Sequence, residues 1–120
     1  MDDQELLQEI FSEIDDSVPL RFVNNGNDLL SFLSGQRDDS LPSLIVMDYN
    51  MPGMNGAELL REIKEIPRYD GIPRIIWSTS RSETFRNKCF ALGVTDYMIK
   101  PSTVKELTEI ATQMLSFCKD

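Results

Sequence analysis

Four short apolar segments, separated by stretches of helical periodicity, constrain the fold of this chain most. In the second of them, Leu44–Met47, apolar residues are consecutive rather than alternating, which is typical of a strand covered on both faces. Short segments of this kind joined through helices form parallel sheets. The predicted strands are Leu20–Val23, Leu44–Met47, Arg74–Ser78 and Asp96–Ile99. The sequence therefore predicts an α/β fold, a doubly wound parallel sheet in a single domain spanning residues 1–120.

Five helices are predicted around these strands. Apolar residues recur at helical spacing in each, and Gly35 and Gly93 are placed to end two of them. The predicted helices cover residues up to Ile14, Asp28–Leu33, a stretch from near Gly56 to before Pro67, Ser82–Leu92, and Val104 to near the end of the chain. Helices therefore precede, separate and follow the strands, in the order αβαβαβαβα.

The negative net charge of the chain argues against anionic binding partners. Twenty acidic and twelve basic residues give a net charge of −8, which opposes a nucleic-acid backbone or an anionic membrane surface. No apolar run approaches the roughly 18 residues needed to cross a bilayer. The amino terminus, MDDQE, lacks the basic and apolar character of a secretory leader. We therefore expect a cytoplasmic protein that binds neither nucleic acid nor membrane.

The chain has two cysteines and no histidine. Cys89 and Cys118 both lie in helical patterns, and without histidine neither a Cys–His nucleophile pair nor a mixed zinc site is available. We expect two reduced cysteines that pack in the core. Any catalysis must rely on carboxylates, hydroxyls and lysines.

Polar residues follow each predicted strand. They are Asn24, Asp48, Ser78 and Lys100, in chain order. Because loops and helix amino termini converge at the carboxyl ends of parallel strands, we expect these side chains to lie near one another. An aspartate, a hydroxyl and a lysine supply an oxygen nucleophile, a hydrogen-bond donor and a cation, which is a set suited to phosphoryl transfer.

The same residues lie in three stretches that resemble the receiver domain of two-component response regulators. The stretches are LIVMDYNMPGMNG at 44–56, IIWS at 75–78 and ALGVTDYMIKP at 91–101. The resemblance extends from the first helix to the last residue. It implies a flavodoxin-like sheet and a signalling module rather than an enzyme, one that catalyses only its own phosphorylation and dephosphorylation.

The resemblance also implies a role for each site residue. Asp48 would accept a phosphoryl group from a histidine kinase or a phosphotransfer protein, and Asp48 and the backbone carbonyl of Asn50 would bind Mg²⁺. Ser78 would act as the switch hydroxyl, and Lys100 would pair with Asp48 and then with the phosphoryl group. Tyr97 would swing inward and reshape a face that docks a downstream protein; a plain core tyrosine is the alternative.

The Lys100–Pro101 bond resembles the family's usual cis peptide, which would fix the direction of the lysine. As for Trp77, one residue before the switch serine, we expect it to pack in the core.

One departure from the family is large. Receivers begin one strand earlier, with a strand that ends in an acidic pair holding the metal, and that strand is central in the family's order 2-1-3-4-5. Its absence predicts an open slot between the first two strands here, and no stable monomer. Three explanations remain open: the missing segment lies upstream of Met1, an exchanged strand fills the slot in a homodimer, or Asp2 and Asp3 serve as the metal ligands.

Two other functions remain as alternatives. A degenerate receiver would dock partner proteins without being phosphorylated. A haloacid-dehalogenase-type phosphohydrolase also places its nucleophile at the end of a parallel strand, but it needs a second aspartate two residues later, where this chain has Asn50.

Overall fold

A computed structural model describes residues 3–14, 20–23, 25–49, 51 and 53–117. Its sheet consists of four parallel strands, β1 (Leu20–Val23), β2 (Leu44–Asp48), β3 (Arg74–Ser78) and β4 (Asp96–Ile99), in the order β1-β2-β3-β4. The α-helices are α1 (Asp3–Ile14), α2 (Gly26–Ser34), α3 (Gly56–Lys64), α4 (Glu83–Ala91) and α5 (Val104–Leu115). Two 3₁₀ turns, Asp38–Ser40 and Pro67–Tyr69, interrupt the loops after α2 and α3. The α/β prediction is confirmed, with every strand within one residue of its predicted bounds.

Helices cover both faces of the sheet. On one face, side chains of α2, α3 and α4 pack with Ile45, Met47 and Ile76. On the other, α1 and α5 pack with Val46, Ile75 and other alternating strand residues. Because successive residues of a strand point to opposite faces, the consecutive apolar residues of β2 serve both layers. No helix in the described ranges is both long enough and apolar enough to cross a membrane.

The prediction of an open slot between the first two strands is wrong. β1 pairs directly with β2 in parallel register, from Leu20 opposite Leu44 to Val23 opposite Met47. An open slot would leave the backbone N–H and C=O groups of both strand edges without partners, and direct pairing satisfies them. With β1 and β2 adjacent, no vacant position exists between them for an exchanged strand. The three crossovers consequently step along the sheet in one direction, and α1 and α5 supply the second layer.

Side-chain caps start the helices that border the site. Asn25 caps α2 by accepting from the backbone N–H groups of Asn27 and Asp28. Asn55 and Glu58 form a capping box at α3, in which each side chain accepts from the other residue's backbone N–H. Ser82 caps α4 through Phe85 N–H. These caps fix where each loop at the carboxyl edge ends, and so fix the shape of that edge.

Candidate functional site

Three predicted site residues meet at the carboxyl edge of the sheet. Asp48 is the last residue of β2, Ser78 is the last of β3, and Lys100 follows β4 directly. Asp48 lies opposite Trp77 in the ladder between β2 and β3. The backbone N–H of Lys100 donates to the carbonyl of Ser78 at 2.8 Å, which continues the pairing of β3 and β4 by one residue. The strand register therefore brings the three side chains to one place.

These side chains surround a small pocket of about 100 Å³. Its lining residues are Asp48, Tyr49, Trp77, Ser78, Thr79 and Lys100. The ammonium of Lys100 forms an ion pair with Oδ1 of Asp48, and the two side chains are 20% and 22% exposed. A charge pair this far removed from water is screened less than a surface pair. The pocket thus holds a partly exposed carboxylate with a cation paired to it.

The hydroxyl of Ser78 is buried, with the residue 3% exposed. Its Oγ accepts the backbone N–H of Ser80 at 3.0 Å, and Oγ of Ser80 in turn accepts the N–H of Ser82 at 3.2 Å. A hydroxyl that accepts one hydrogen bond still has its own O–H to donate. The loop after β3 therefore fixes the oxygen of Ser78 while its proton remains available to a group in the pocket.

Tyr97 lies on β4 with its ring buried at 3% exposure. Its phenolic O–H donates to the backbone carbonyl of Ser80 at 3.0 Å, and a guanidinium N–H of Arg86 donates to the carbonyl of Tyr97 at 3.1 Å. The tyrosine is therefore in an inward position, tied to the loop that also holds Ser78. It does not line the pocket around Asp48.

Aromatic side chains border the pocket on two sides, and this was not predicted. The Lys100 ammonium lies over the ring of Trp77, 5.1 Å from its centroid. Tyr49 stacks on Phe85 of α4 with centroids 4.8 Å apart. Burial, above all, raises the pKa of the Tyr49 phenol. The expectation that Trp77 packs in the core is confirmed, since it is 1% exposed, but it also contacts the site lysine. The sequence signal for that contact was the position of Trp77 next to Ser78, whereas its place opposite Asp48 follows from the strand register.

Some predicted site residues lie outside the described residues. These are Asn24, Asn50 and Asp2, together with the side chain of Asp3. In the part of the chain that the structure describes, no group of three acidic, cysteine or histidine side chains could hold a metal ion. A site with a single carboxylate can still bind Mg²⁺, because this ion retains several waters. It commonly binds through one or two carboxylates together with phosphate oxygens. Asp48 is the carboxylate that could do so here.

The predicted cis peptide is wrong. The Lys100–Pro101 bond is trans, as are the other peptide bonds of the described ranges. Trans is the lower-energy isomer of a bond to proline. The direction of Lys100 follows instead from its backbone hydrogen bond to Ser78 and from its ion pair with Asp48.

The chain is similar in sequence and in fold to known response regulators. The response regulator receiver domain model matches residues 1–112. The two-component response regulator ARR8 of Arabidopsis thaliana is 29% identical over 82% of this chain, which spans only 51% of the length of ARR8. Among solved structures, the phosphorylated cyanobacterial phytochrome response regulator RcpA is 30% identical, with 97% of this chain and 85% of that one covered and a TM-score of 0.82.

A second solved structure, the Mn²⁺-bound form of the response regulator Rcp1, is also 30% identical. The match covers 96% of this chain and 85% of that one, with a TM-score of 0.77. Receiver domains are signalling modules rather than classical enzymes, so the phosphohydrolase alternative has no support from these relatives. The chain belongs to the response regulator receiver domain family.

Proposed function

We propose that this chain is a phosphoacceptor receiver of a two-component phosphorelay, with Asp48 as the residue that is phosphorylated. The observation that carries the proposal is the pairing of the Asp48 carboxylate with Lys100, beside the buried hydroxyl of Ser78, at the carboxyl edge of the sheet. The relative RcpA, solved as a phosphorylated response regulator, supports the same chemistry for this chain.

In the proposed reaction, a carboxylate oxygen of Asp48 forms a bond to the phosphorus of a phosphohistidine. The phosphorus–nitrogen bond of the donor breaks, and the departing imidazole retains the bonding electrons and takes up a proton. Lys100 then turns from the carboxylate to an oxygen of the phosphoryl group, where its charge offsets the added negative charge. Ser78 donates its O–H to another phosphoryl oxygen.

Two groups of this chain would bind a divalent ion at the site. Asp48 and the backbone carbonyl of Asn50 would hold Mg²⁺, which when bound neutralises charge on the phosphoryl oxygens. The relative Rcp1, solved with Mn²⁺ bound, supports the binding of a divalent ion by this chain. Because Asp48 lines the pocket, its carboxylate would be accessible to an ion that enters it.

The proposed output is a change in the surface around α4, β4 and α5. Ser78 and Tyr97 are both tied to Ser80, one through an accepted N–H and the other through a donated O–H. A movement of the Ser78 hydroxyl toward a phosphoryl group would therefore pull on the carbonyl that holds Tyr97. We infer that this link alters docking of a downstream protein, and that the donor is a histidine kinase or phosphotransfer protein in the cytoplasm.

The test is phosphoryl uptake by the full chain. Incubation with acetyl phosphate and Mg²⁺ is expected to add one phosphoryl group, measured by intact mass spectrometry, and Asp48→Asn is expected to abolish it. Asp70→Asn is the matched control, because this exposed carboxylate lies in the loop before β3, at the opposite edge of the sheet. Equal uptake in the Asp48→Asn variant, or none in the parent chain, overturns the proposal.

One observation favours a second candidate, a degenerate receiver that docks partners without phosphorylation. Within the described residues, Asp48 is the sole carboxylate that lines the pocket. The same experiment separates the two candidates. Absence of phosphoryl uptake, combined with retained binding to a phosphotransfer protein, would support the docking module.

A further inference from the structure

Trp77 and Lys100 form a contact inside the pocket that the proposed function does not use. The Lys100 ammonium lies 5.1 Å from the centroid of the indole ring and at the same time pairs with Asp48. The ring face of tryptophan attracts a cation more strongly than that of any other side chain, and removal from bulk water strengthens the attraction. The Lys100 ammonium therefore has two partners within interaction distance, the Asp48 carboxylate and the Trp77 ring.

The indole ring is itself held rigidly. Trp77 is 1% exposed and belongs to the apolar cluster that β2, β3 and β4 form with α1 and α5. Side chains packed in such a core occupy defined rotamers with few voids around them. The ring therefore provides a fixed surface beneath a lysine that has four rotatable side-chain bonds.

The indole N–H is an additional observation. Trp77 Nε1 is buried and has no hydrogen-bond partner among the described residues. A buried donor without a partner costs free energy, and a phenylalanine or leucine at this position would avoid that cost. Packing alone therefore does not account for a tryptophan here, whereas the contact between its ring face and Lys100 does.

We propose that Trp77 is a positioning residue that holds the Lys100 ammonium against Asp48 and guides it to the phosphoryl group. This inference rests on the function proposed above. Lysine is a flexible point charge, and fixing its position before the reaction removes part of the ordering that the transition state would otherwise require. Trp77 would act only through Lys100 and would not touch the phosphoryl group.

The contact can be tested without any phosphodonor. Trp77 is the only tryptophan in the chain, so its fluorescence reports on its surroundings alone. Lys100→Met, which removes the cation from the ring face, is expected to change the intensity of tryptophan emission. Lys88→Met, on the exposed side of α4, is the matched control and is expected to leave it unchanged. Identical emission in the parent chain and in Lys100→Met overturns the inference.

The positioning role is tested by the rate of phosphoryl uptake from acetyl phosphate with Mg²⁺. Trp77→Leu, which removes the ring face, is expected to be about 3- to 30-fold slower than the parent chain. Trp77→Phe keeps a ring face that attracts a cation less strongly than indole does, and its rate is expected to fall between those of the parent chain and Trp77→Leu. Ile75→Ala is the matched control, because Ile75 is buried in the same strand and the same cluster but does not line the pocket. If Ile75→Ala slows uptake as much as Trp77→Leu, Trp77 merely supports the core.

Two further outcomes are distinguishable. Should Trp77→Leu fail to fold, Trp77→Phe and Trp77→Met replace it as the pair with and without a ring face. If the parent chain takes up no phosphoryl group, the proposed function fails. The tryptophan fluorescence of Lys100→Met then decides by itself whether the contact exists. If the parent chain is phosphorylated and Trp77→Leu reacts at the same rate, only the positioning role fails.

Discussion

Tyr49 and Phe85 stack face to face, with ring centroids 4.8 Å apart and planes 11° from parallel. Tyr49 directly follows Asp48, and Phe85 lies in the first turn of α4. Apart from this stack, α4 buries little side-chain surface, because Cys89 is its one buried residue. The stack therefore ties the start of this helix to the strand end that carries the proposed phosphoacceptor.

This stack predicts a measurable coupling between the two rings. We expect Tyr49→Leu and Phe85→Leu to be non-additive, with an interaction free energy of about 0.5–1.5 kcal/mol in a double-mutant cycle of urea unfolding. Phe90→Leu is the matched control, since Phe90 is 40% exposed and Phe85 37% exposed, both on α4. The Phe90 ring contacts the Arg86 guanidinium instead, so additivity between Tyr49→Leu and Phe90→Leu is expected. Additivity in both cycles would contradict a stabilising stack.

The hydroxyl of Tyr97 is expected to stabilise the loop after β3 without serving phosphoryl uptake. Tyr97→Phe removes the hydrogen bond to the Ser80 carbonyl and should lower the free energy of unfolding by about 0.5–1.5 kcal/mol. Because Tyr97 does not line the pocket, the rate of uptake from acetyl phosphate should stay within about twofold of the parent rate. A large loss of uptake in this variant would place the hydroxyl in the reaction itself.

Gly56 allows α3 to begin close against the end of β2. A Cβ added there would lie 2.6 Å from Cδ1 of Ile76 and 3.1 Å from Cα of Tyr49. Gly56→Ala is therefore expected to destabilise the fold by about 1–3 kcal/mol, measured by urea unfolding. Gly35→Ala is the control, because the nearest atom there is 3.7 Å away, and it should be neutral or slightly stabilising.

A second substitution tests the cause. Ile76→Val deletes Cδ1, so the double variant Gly56→Ala with Ile76→Val should recover part of the lost stability relative to the sum of the two changes. Recovery should be incomplete, because the Tyr49 backbone still lies near the added methyl group. Strict additivity would indicate that the clash with Ile76 is not the source of the destabilisation.

The sequence predicts those features that depend on local pattern or on a general rule of sheet geometry. The consecutive apolar residues of β2 indicate a buried parallel strand, and parallel strands bring Asp48, Ser78 and Lys100 to one edge whatever the details of packing. The capping box at Asn55 was not predicted, although it is local as well and needs only a glutamate three residues later. Such features require no knowledge of which elements are neighbours.

Features that depend on a specific non-local partner could not be predicted. The direct pairing of β1 with β2 is one, because an apolar strand does not specify which edge it will meet. Arg74 was missed for a different reason: a charged residue at a strand start suggests exposure, yet its guanidinium is buried and donates to the carbonyls of Tyr69 and Ile72, which are close to it in the sequence. Burial also lowers the pKa of Arg74.

The thiol of Cys89 provides a prediction about alkaline pH. Cys89 is fully buried on the inner side of α4, and burial raises its pKa above the ordinary value of about 8.5, an effect that the neighbouring Lys88 charge only partly opposes. The unfolded chain therefore loses this proton at a lower pH than the folded chain does. The contribution of the Cys89 thiol to the free energy of unfolding is fully present below a pH of about 8.5. It decreases as the pH rises toward the higher pKa of the thiol in the folded chain.

We expect the free energy of unfolding in urea to fall more steeply between about pH 8.5 and 9.5 in the parent chain than in Cys89→Ala, which has no thiol to ionise. Both proteins should carry Cys118→Ser, so that the second cysteine does not contribute. The range stays below the ordinary tyrosine value of about 10, because burial raises the Tyr49 pKa as well and that group would otherwise add to the slope. Parallel pH curves for the two proteins would mean that the Cys89 thiol ionises equally in the folded and unfolded states, and that α4 does not shield it from water.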